Sequence, residues 1–308
     1  MLVVFEIIFF LTQLFWYWMV SVVLCFVPTR FIGKDIRGKT VLITGAGGGV
    51  GRLLSEKFAE RGCHLVLWDV DQDLMEQTLN SVRSKYSTVA VAYKVDLTDR
   101  NAIYKLAKQV SEEVGVIDIL VNNAGVVFGK FVLDSSDDQM IKTIEVNCLA
   151  HYWTCKAFLP NMIKQNSGHL VTIASSAGLM GVAGMADYCA SKFAAIGFQE
   201  SLSLELAHRG INGVKITVVC PYWIDTGMFD GCTVKFPFLL KALKPEYVAN
   251  SIVSAVLRED EILFLPKFVY WSYFFKSVLP VRCQHLIHTF LGTITFMDTF
   301  KGHHHKTS

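Results

Sequence analysis

Tyr188 and Lys192 stand four residues apart, so on a helix they share one face. A free tyrosine, with a pKa near 10, is a poor base at neutral pH. A neighbouring ammonium favours the phenolate, and each unit by which it lowers the tyrosine pKa is worth about 1.4 kcal/mol. Such a pair makes a proton acceptor for an alcohol that is being oxidised. Tyr-x-x-x-Lys alone reads equally well as part of an amphipathic core helix. Ser175 adds to it: it lies thirteen residues upstream, at the carboxyl end of a strand-like run. Open parallel sheets bind their ligands outside such ends.

A second chemical signal lies near the start of the chain. Thr44-Gly45-Ala46-Gly47-Gly48-Gly49-Val50-Gly51 follows a β-rich run and opens a helical one. Glycines there let the backbone approach a pyrophosphate, which sits on the positive end of the helix. The spacing is TGxxxGxG, not GxGxxG. The next β-rich run ends in Leu67-Trp68-Asp69. An acid roughly 20 positions beyond the glycines accepts hydrogen bonds from the adenosine ribose and repels a 2′-phosphate. No cation follows, only Val70 and Asp71, and Gly48 supplies none within the loop. The pattern predicts NAD in preference to NADP. The other reading of Asp69 is a helix cap, a role Asp71 suits better.

These residues need a scaffold that brings them to one edge. The strand candidates are Thr40–Thr44, His64–Asp69, Val89–Val95, Ile117–Val121, His169–Ala174, Lys215–Val219 and Ile262–Leu265. They are short, continuous and rich in Val, Ile and Leu, as strands buried on both faces must be. Between them lie helical stretches at Val50–Arg61, Asp71–Lys85, Asp99–Val114, Ala150–Lys164, Ala186–His208 and Pro245–Arg258. Alternation of this kind predicts an α/β fold, a doubly wound parallel sheet of Rossmann type in a single domain.

With Asn122-Asn123-Ala124-Gly125 after the fourth strand, and Asn147, these motifs together resemble the short-chain dehydrogenase/reductase family over about Lys39 to Leu265. The resemblance implies that Tyr188 donates or accepts the proton and that Ser175 holds the substrate oxygen. It implies that Lys192 binds the nicotinamide ribose and that Asn147 supports a water in the proton relay. Asp96-Leu97 matches the pair that contacts adenine, and Asn123 and Ala124 match the segment under the cofactor ribose. Ile224-Asp225-Thr226 resembles the stretch near the nicotinamide, with Thr226 at its amide. One departure stands out: Pro221-Tyr222 replaces the usual Pro-Gly, which puts the local backbone and substrate access in question. Dimers in the family form through helices that correspond to 150–164 and 186–208, so a homodimer is expected.

Of the 308 residues, 52% are apolar and 18% charged, with a net charge of +2. That balance excludes a disordered chain and gives no basic stripe for nucleic acid. The apolar excess lies at the ends. Ile7 to Val27 carries no charge and is long enough to cross a hydrocarbon core of about 30 Å. Glu6, the length of the run and Pro28-Thr29-Arg30 disfavour a cleaved signal. Arg30, Lys34, Arg37 and Lys39 follow, which places the remainder on the cytosolic side. The eight cysteines form no CxxC and no metal-ligand spacing, as befits a reducing compartment. His285, His288 and the His303-His304-His305 run read as solvated residues rather than a metal site.

After Thr226 an apolar insert with Met228, Phe229, Phe236, Phe238, Leu239 and Leu240 reads as a lid over a lipid-alcohol pocket, or as a short helix packed on the core. Phe268 to Phe275, between Lys267 and Lys276, is too short to span a membrane and suits its interface, with the lysines snorkelling. Leu286 to Phe300 is similar. The predicted organisation is an anchor (1–29), a dehydrogenase domain (30–265) and a membrane-associated extension (266–308). The closer resemblance is to the membrane-bound retinol and hydroxysteroid dehydrogenases. It implies oxidation of all-trans-retinol or a similar lipid alcohol with NAD at the endoplasmic reticulum, with lipid droplets as another site. The alternatives are a hydroxysteroid dehydrogenase, an NADPH-dependent retinaldehyde reductase and a non-enzymatic scaffold on lipid droplets.

Overall fold

The computed structural model describes residues 2–238 and 240–302. Leu239 and the His303-His304-His305 run lie outside the described residues.

Seven strands build one sheet: β1 (Thr40–Thr44), β2 (His64–Asp69), β3 (Ala90–Lys94), β4 (Ile119–Asn122), β5 (Gly168–Ile173), β6 (Val214–Pro221) and β7 (Ile262–Leu265). Every pairing is parallel, in the order β3-β2-β1-β4-β5-β6-β7. The order reverses between β1 and β4, the crevice where such sheets bind nucleotides. Leu42, Leu120 and Leu170 face one apolar layer, and Ile43, Val121 and Val171 face the other. The sheet is therefore buried on both sides, which is why its strands read as unbroken apolar runs.

The helices that cover it are α1 (Leu2–Phe26), α2 (Thr29–Ile32), α3 (Gly49–Glu60), α4 (Gln72–Lys85), α5 (Arg100–Glu113), α6 (Asp137–Ile144), α7 (Ala150–Gln165), α8 (Ala186–His208), α9 (Pro245–Arg258), α10 (Phe268–Val278) and α11 (Val281–Leu291). Polar residues set their starts. Asp71 accepts from Leu74 N at 3.0 Å, and Asp99 accepts from Asn101 N at 2.8 Å and Ala102 N at 3.1 Å. Each such cap is worth about 1 kcal/mol. Asp71, not Asp69, caps α4.

Helix α1 begins before the uncharged run and carries Glu6, and Leu2–Leu24 is long and apolar enough to cross a membrane, with none of it buried. Arg258 fastens its last turn, donating from Nη1 to Val27 O and from Nη2 to Leu24 O, both at 2.7 Å. Thr29 Oγ1 meets Ser254 Oγ at 2.7 Å, and Lys34 N donates to Leu257 O at 2.8 Å. These contacts fall at the carboxyl end of α9, which is the edge of the sheet away from the glycine loop.

Two expectations change. The insert after β6 forms no helix among the described residues. Lys276 does not snorkel: its ammonium donates to Leu179 O and lies 4.8 Å over the Phe193 ring, because α10 packs beside the Ser175 loop.

Candidate active site

Strand β1 ends in Thr44, whose hydroxyl accepts from Asn123 N at 3.0 Å and Ala124 N at 3.1 Å. Asn123 Nδ2 donates in turn to Thr44 O at 2.9 Å and Gly45 O at 3.1 Å. The tips of β1 and β4 are thereby locked together. Gly45 has φ +65° with Ala124 against it, and a Cβ on Gly51 would run into the Gly45 carbonyl oxygen. The helix can pack this closely only without those side chains. Val50 is buried behind the loop, and Gly49 comes within 3.7 Å of the Thr226 side chain, measured from a Cβ built on the glycine. Thr226, from the far side of the sheet, thus faces the mouth of the loop.

Asp69 supports this cradle. One carboxylate oxygen accepts from Gly47 N at 2.7 Å and the other from Asp71 N at 2.9 Å. A carboxylate has about four acceptor positions, so capacity remains for ribose hydroxyls. A Cβ built on Gly48 meets no described atom within 4 Å, so the loop backbone lies open to a phosphate. The residues present therefore fit a dinucleotide. Asp96 binds its own chain, accepting from Thr98 N and Oγ1, both at 2.9 Å, while Leu97 is buried beside it.

The catalytic candidates converge at the carboxyl ends of β4 and β5. Asn147 sits in a π-helical turn, Glu145–Leu149, between α6 and α7. Its side chain accepts from Val126 N at 2.8 Å and donates to Val126 O at 2.9 Å and Ser191 Oγ at 3.1 Å. Ser175 Oγ accepts from Ala177 N at 3.1 Å, which fixes the turn after β5. Tyr188 and Lys192 project from one face of α8, 5% and 3% exposed. Lys192 Nζ donates to Ile173 O at 2.9 Å and lies 5.6 Å from the Tyr188 ring centroid. A Cβ on Gly125 would stand 3.4 Å from Asn147 Oδ1 and 3.5 Å from Lys192 Nζ, so the two polar ends share one small space.

The electrostatics differ from expectation in one respect. Burial raises the Tyr188 phenol above its ordinary pKa, with the Ser175 hydroxyl pulling the other way. Burial also draws Lys192 down to about 8. The ammonium is turned to a backbone carbonyl, so desolvation outweighs its pull on the phenol.

The wall over Tyr188 includes residues that local pattern could not find. Phe229 meets the Tyr188 ring edge-on at 6.0 Å, and Phe296 lies 6.1 Å from Phe229 and 5.4 Å from Trp223. Met297 is buried in the same cluster, with its sulfur 3.6 Å from Cys232 Sγ. Residues 293–301 thus run as a strap across the insert, tied by Lys301 N to Asp230 O at 3.0 Å. Of the apolar insert, Leu240 turns inward, Phe236 packs at a tilt on Phe290 with ring centroids 5.3 Å apart, and Phe238 points out. Tyr222 packs on Phe268 at 6.1 Å, so α10 absorbs the bulk that replaces the usual glycine.

Comparisons agree with this geometry. The family model for short chain dehydrogenases matches residues 39–234. Mouse epidermal retinol dehydrogenase 2 is 49% identical over 274 residues, 89% of each chain. Among solved structures, a short chain dehydrogenase/reductase from Burkholderia phymatum in complex with NAD superposes with TM-score 0.71. It is 28% identical and covers 78% of this chain and 93% of its own. A metagenomic short-chain oxidoreductase in complex with NADP gives TM-score 0.64 at 26% identity, covering 75% and 98%. With a glycine cradle at the sheet's switch point and the Tyr188–Lys192 pair at its carboxyl edge, the chain belongs to the short-chain dehydrogenase family.

Proposed function

We propose that this enzyme oxidises all-trans-retinol, or a similar lipid alcohol, to the aldehyde with NAD. The observation that carries the substrate class is the apolar closure over Tyr188 by Phe229, Phe296 and Met297. A long hydrocarbon alcohol is favoured there because the wall supplies burial rather than hydrogen bonds. The similarity to epidermal retinol dehydrogenase 2 supports the same reading.

Thr44, Gly45, Gly49, Val50 and Gly51 would hold the pyrophosphate, with Asp69 on the adenosine ribose and Asp96 and Leu97 by the adenine. Asn123, Ala124 and Thr226 would flank the nicotinamide side. The nicotinamide, when bound, supplies the acceptor for the hydride. The Ser175 hydroxyl orients the alcohol oxygen, and the Tyr188 phenolate takes its proton. Lys192 stabilises that phenolate, and Asn147 holds the turn that shapes the space beneath. The Asp69 carboxylate disfavours a 2′-phosphate and supports NAD, although Lys94 is its register partner on β3.

Helix α1 anchors the chain in the endoplasmic reticulum membrane or on lipid droplets, with the catalytic domain (30–265) on the cytosolic side. Exposed Tyr270, Trp271, Phe274, Leu286 and Phe290 support an interfacial seat for α10 and α11. The outward faces of α7 and α8 suit a homodimer.

Microsomes carrying the protein should convert all-trans-retinol to retinaldehyde with NAD, and Tyr188→Phe should stop it. Equal turnover by that variant would overturn the mechanism. Preference for a hydroxysteroid, or for NADP by tenfold, would overturn the substrate or cofactor assignment.

A further inference from the structure

Behind Lys192, the layer between the sheet and helices α7 and α8 is apolar except along one seam. His151 stands one helical turn beyond Asn147. It is 2% exposed, and neither ring nitrogen has a hydrogen-bond partner among the described residues. Gln199 lies seven residues after Lys192 on the same face of α8. It is fully buried, and apart from the Cys155 thiol its amide has no hydrogen-bond partner among the described residues. Thr172 Oγ1 is unpartnered as well. Leu170 and Ala174, on either side of Thr172, belong to the apolar layer under these helices, so the two-residue period of a strand puts Thr172 there too. Its register partner Asn122 accepts from Thr154 Oγ1 at 2.8 Å, one turn of α7 beyond His151. The Cys155 thiol next to Thr154 lies close enough to Asn122 and Gln199 for both to act on it. The seam therefore runs from His151 through Thr154 and Cys155 to Gln199, with Thr172 below.

Three buried polar side chains short of partners along one seam call for an explanation, because leaving them dry would cost a large share of a typical domain's stability. Buried polar sites of this kind hold water, each molecule making about three hydrogen bonds. Lys192 borders the seam and has three donors, of which Ile173 O takes one. We propose that His151, Gln199 and Thr172 hold internal waters against Lys192, and that His151 is a positioning residue that keeps this ammonium solvated and in place. Burial and the Lys192 charge keep the imidazole neutral, so it offers one donor and one acceptor, the pattern a bridging water needs. An ammonium left dry at this depth would lose its charge near neutral pH and with it the ability to support the Tyr188 phenolate.

The inference rests on Lys192 serving Tyr188, which the Tyr188→Phe variant tests separately. The experiment uses the full-length enzyme in microsomes or detergent and any alcohol the wild type turns over, so it does not depend on retinol. His151→Phe should lower kcat about tenfold with the KM values for alcohol and NAD unchanged. It should also lower Tm, because it displaces the waters and strands Gln199 and Thr172. His151→Gln, which keeps a donor and an acceptor, should restore most of kcat. If His151→Phe does not fold, Gln199→Leu at the far end of the seam should show the same loss of kcat at constant KM. An unchanged kcat overturns the inference, whatever Tm does. A raised Tm in His151→Phe overturns it too, since the ring would then have stood in a dry void. So does a His151→Gln enzyme no better than His151→Phe.

Discussion

The nucleotide cradle and the substrate wall meet at Tyr188 but are built in different ways. The cradle is made of backbone and short polar side chains from the carboxyl ends of three adjacent strands: the loop after β1, Asp69 at the end of β2 and Asn123 just past β4. The wall is made of large apolar side chains, with Phe229 and Phe296 in contact although they are 67 positions apart. The cradle must match a fixed pyrophosphate with N–H groups, so it tolerates few sequences and leaves a motif. The wall has only to exclude water and fill space, which many apolar residues do equally well. On the proposed reading, binding of the cofactor is written locally and choice of substrate is written in the packing of residues 293–301 on the insert.

The sharpest way to break this division is at the junction. Tyr188→Phe should lower turnover by about 10²–10⁴-fold while NAD still binds, which titration of the purified enzyme would check. Loss of NAD binding would show that cradle and wall are not separable there. Next, Phe296→Ala with Met297→Ala should raise KM for a lipid alcohol by about thirtyfold or more and leave KM for NAD unchanged, since each lost apolar contact is worth about 1–3 kcal/mol. Asp69→Asn should do the reverse, cutting the NAD-to-NADP ratio of kcat/KM by about tenfold with the alcohol KM unmoved; a fixed ratio would remove Asp69 from cofactor choice.

Two smaller effects probe the scaffold that both regions share. Burial pushes the His151 pKa down to about 3, and His169, bonded to Lys34 and Thr217, is lowered as well. Below an unfolded pKa of about 6.5 the unfolded chain takes up protons that the folded chain refuses. Stability is thus fully present above that pH and falls by about 1.4 kcal/mol per unit for each such histidine on acidification, down to about pH 3 for His151. Tm measured between pH 7.5 and 5 would show the fall, and His151→Gln should flatten it. Smallest, Asp99→Ala removes a cap on α5 and should cost about 1 kcal/mol in a denaturant midpoint without touching either KM.

The legibility of the sequence follows the same line. Helices α8 and α9 match their expected bounds to the residue, Ala186–His208 and Pro245–Arg258; α9 opens on Pro245 and both close on a basic last turn, signals that are local in the chain. Helix α6 and the π turn at Asn147 are not legible in the sequence: eight residues make barely two turns, too few for a pattern to stand out, and an extra residue in a turn leaves no trace in composition. Asp69 was recognisable as an acid in the right place, but its grip on Gly47 was not. The insert was recognisable as apolar, yet nothing in it separates Leu240, which is buried, from Phe238, which is exposed.

By itself the sequence determined the parallel sheet, the glycine cradle, the Tyr188–Lys192 pair and an apolar first helix. Each leaves its mark in residues close in sequence: short apolar runs, glycine spacing, an i, i+4 pair and an uncharged stretch. Only the tertiary structure decided that Phe296 and Met297 pack with Tyr188 and Phe229, that Lys276 ties α10 to the Ser175 loop, and that His151, Gln199 and Thr172 line one buried seam. Those arrangements depend on contacts between distant segments, and their energy comes from burial, which has no direction and therefore no motif.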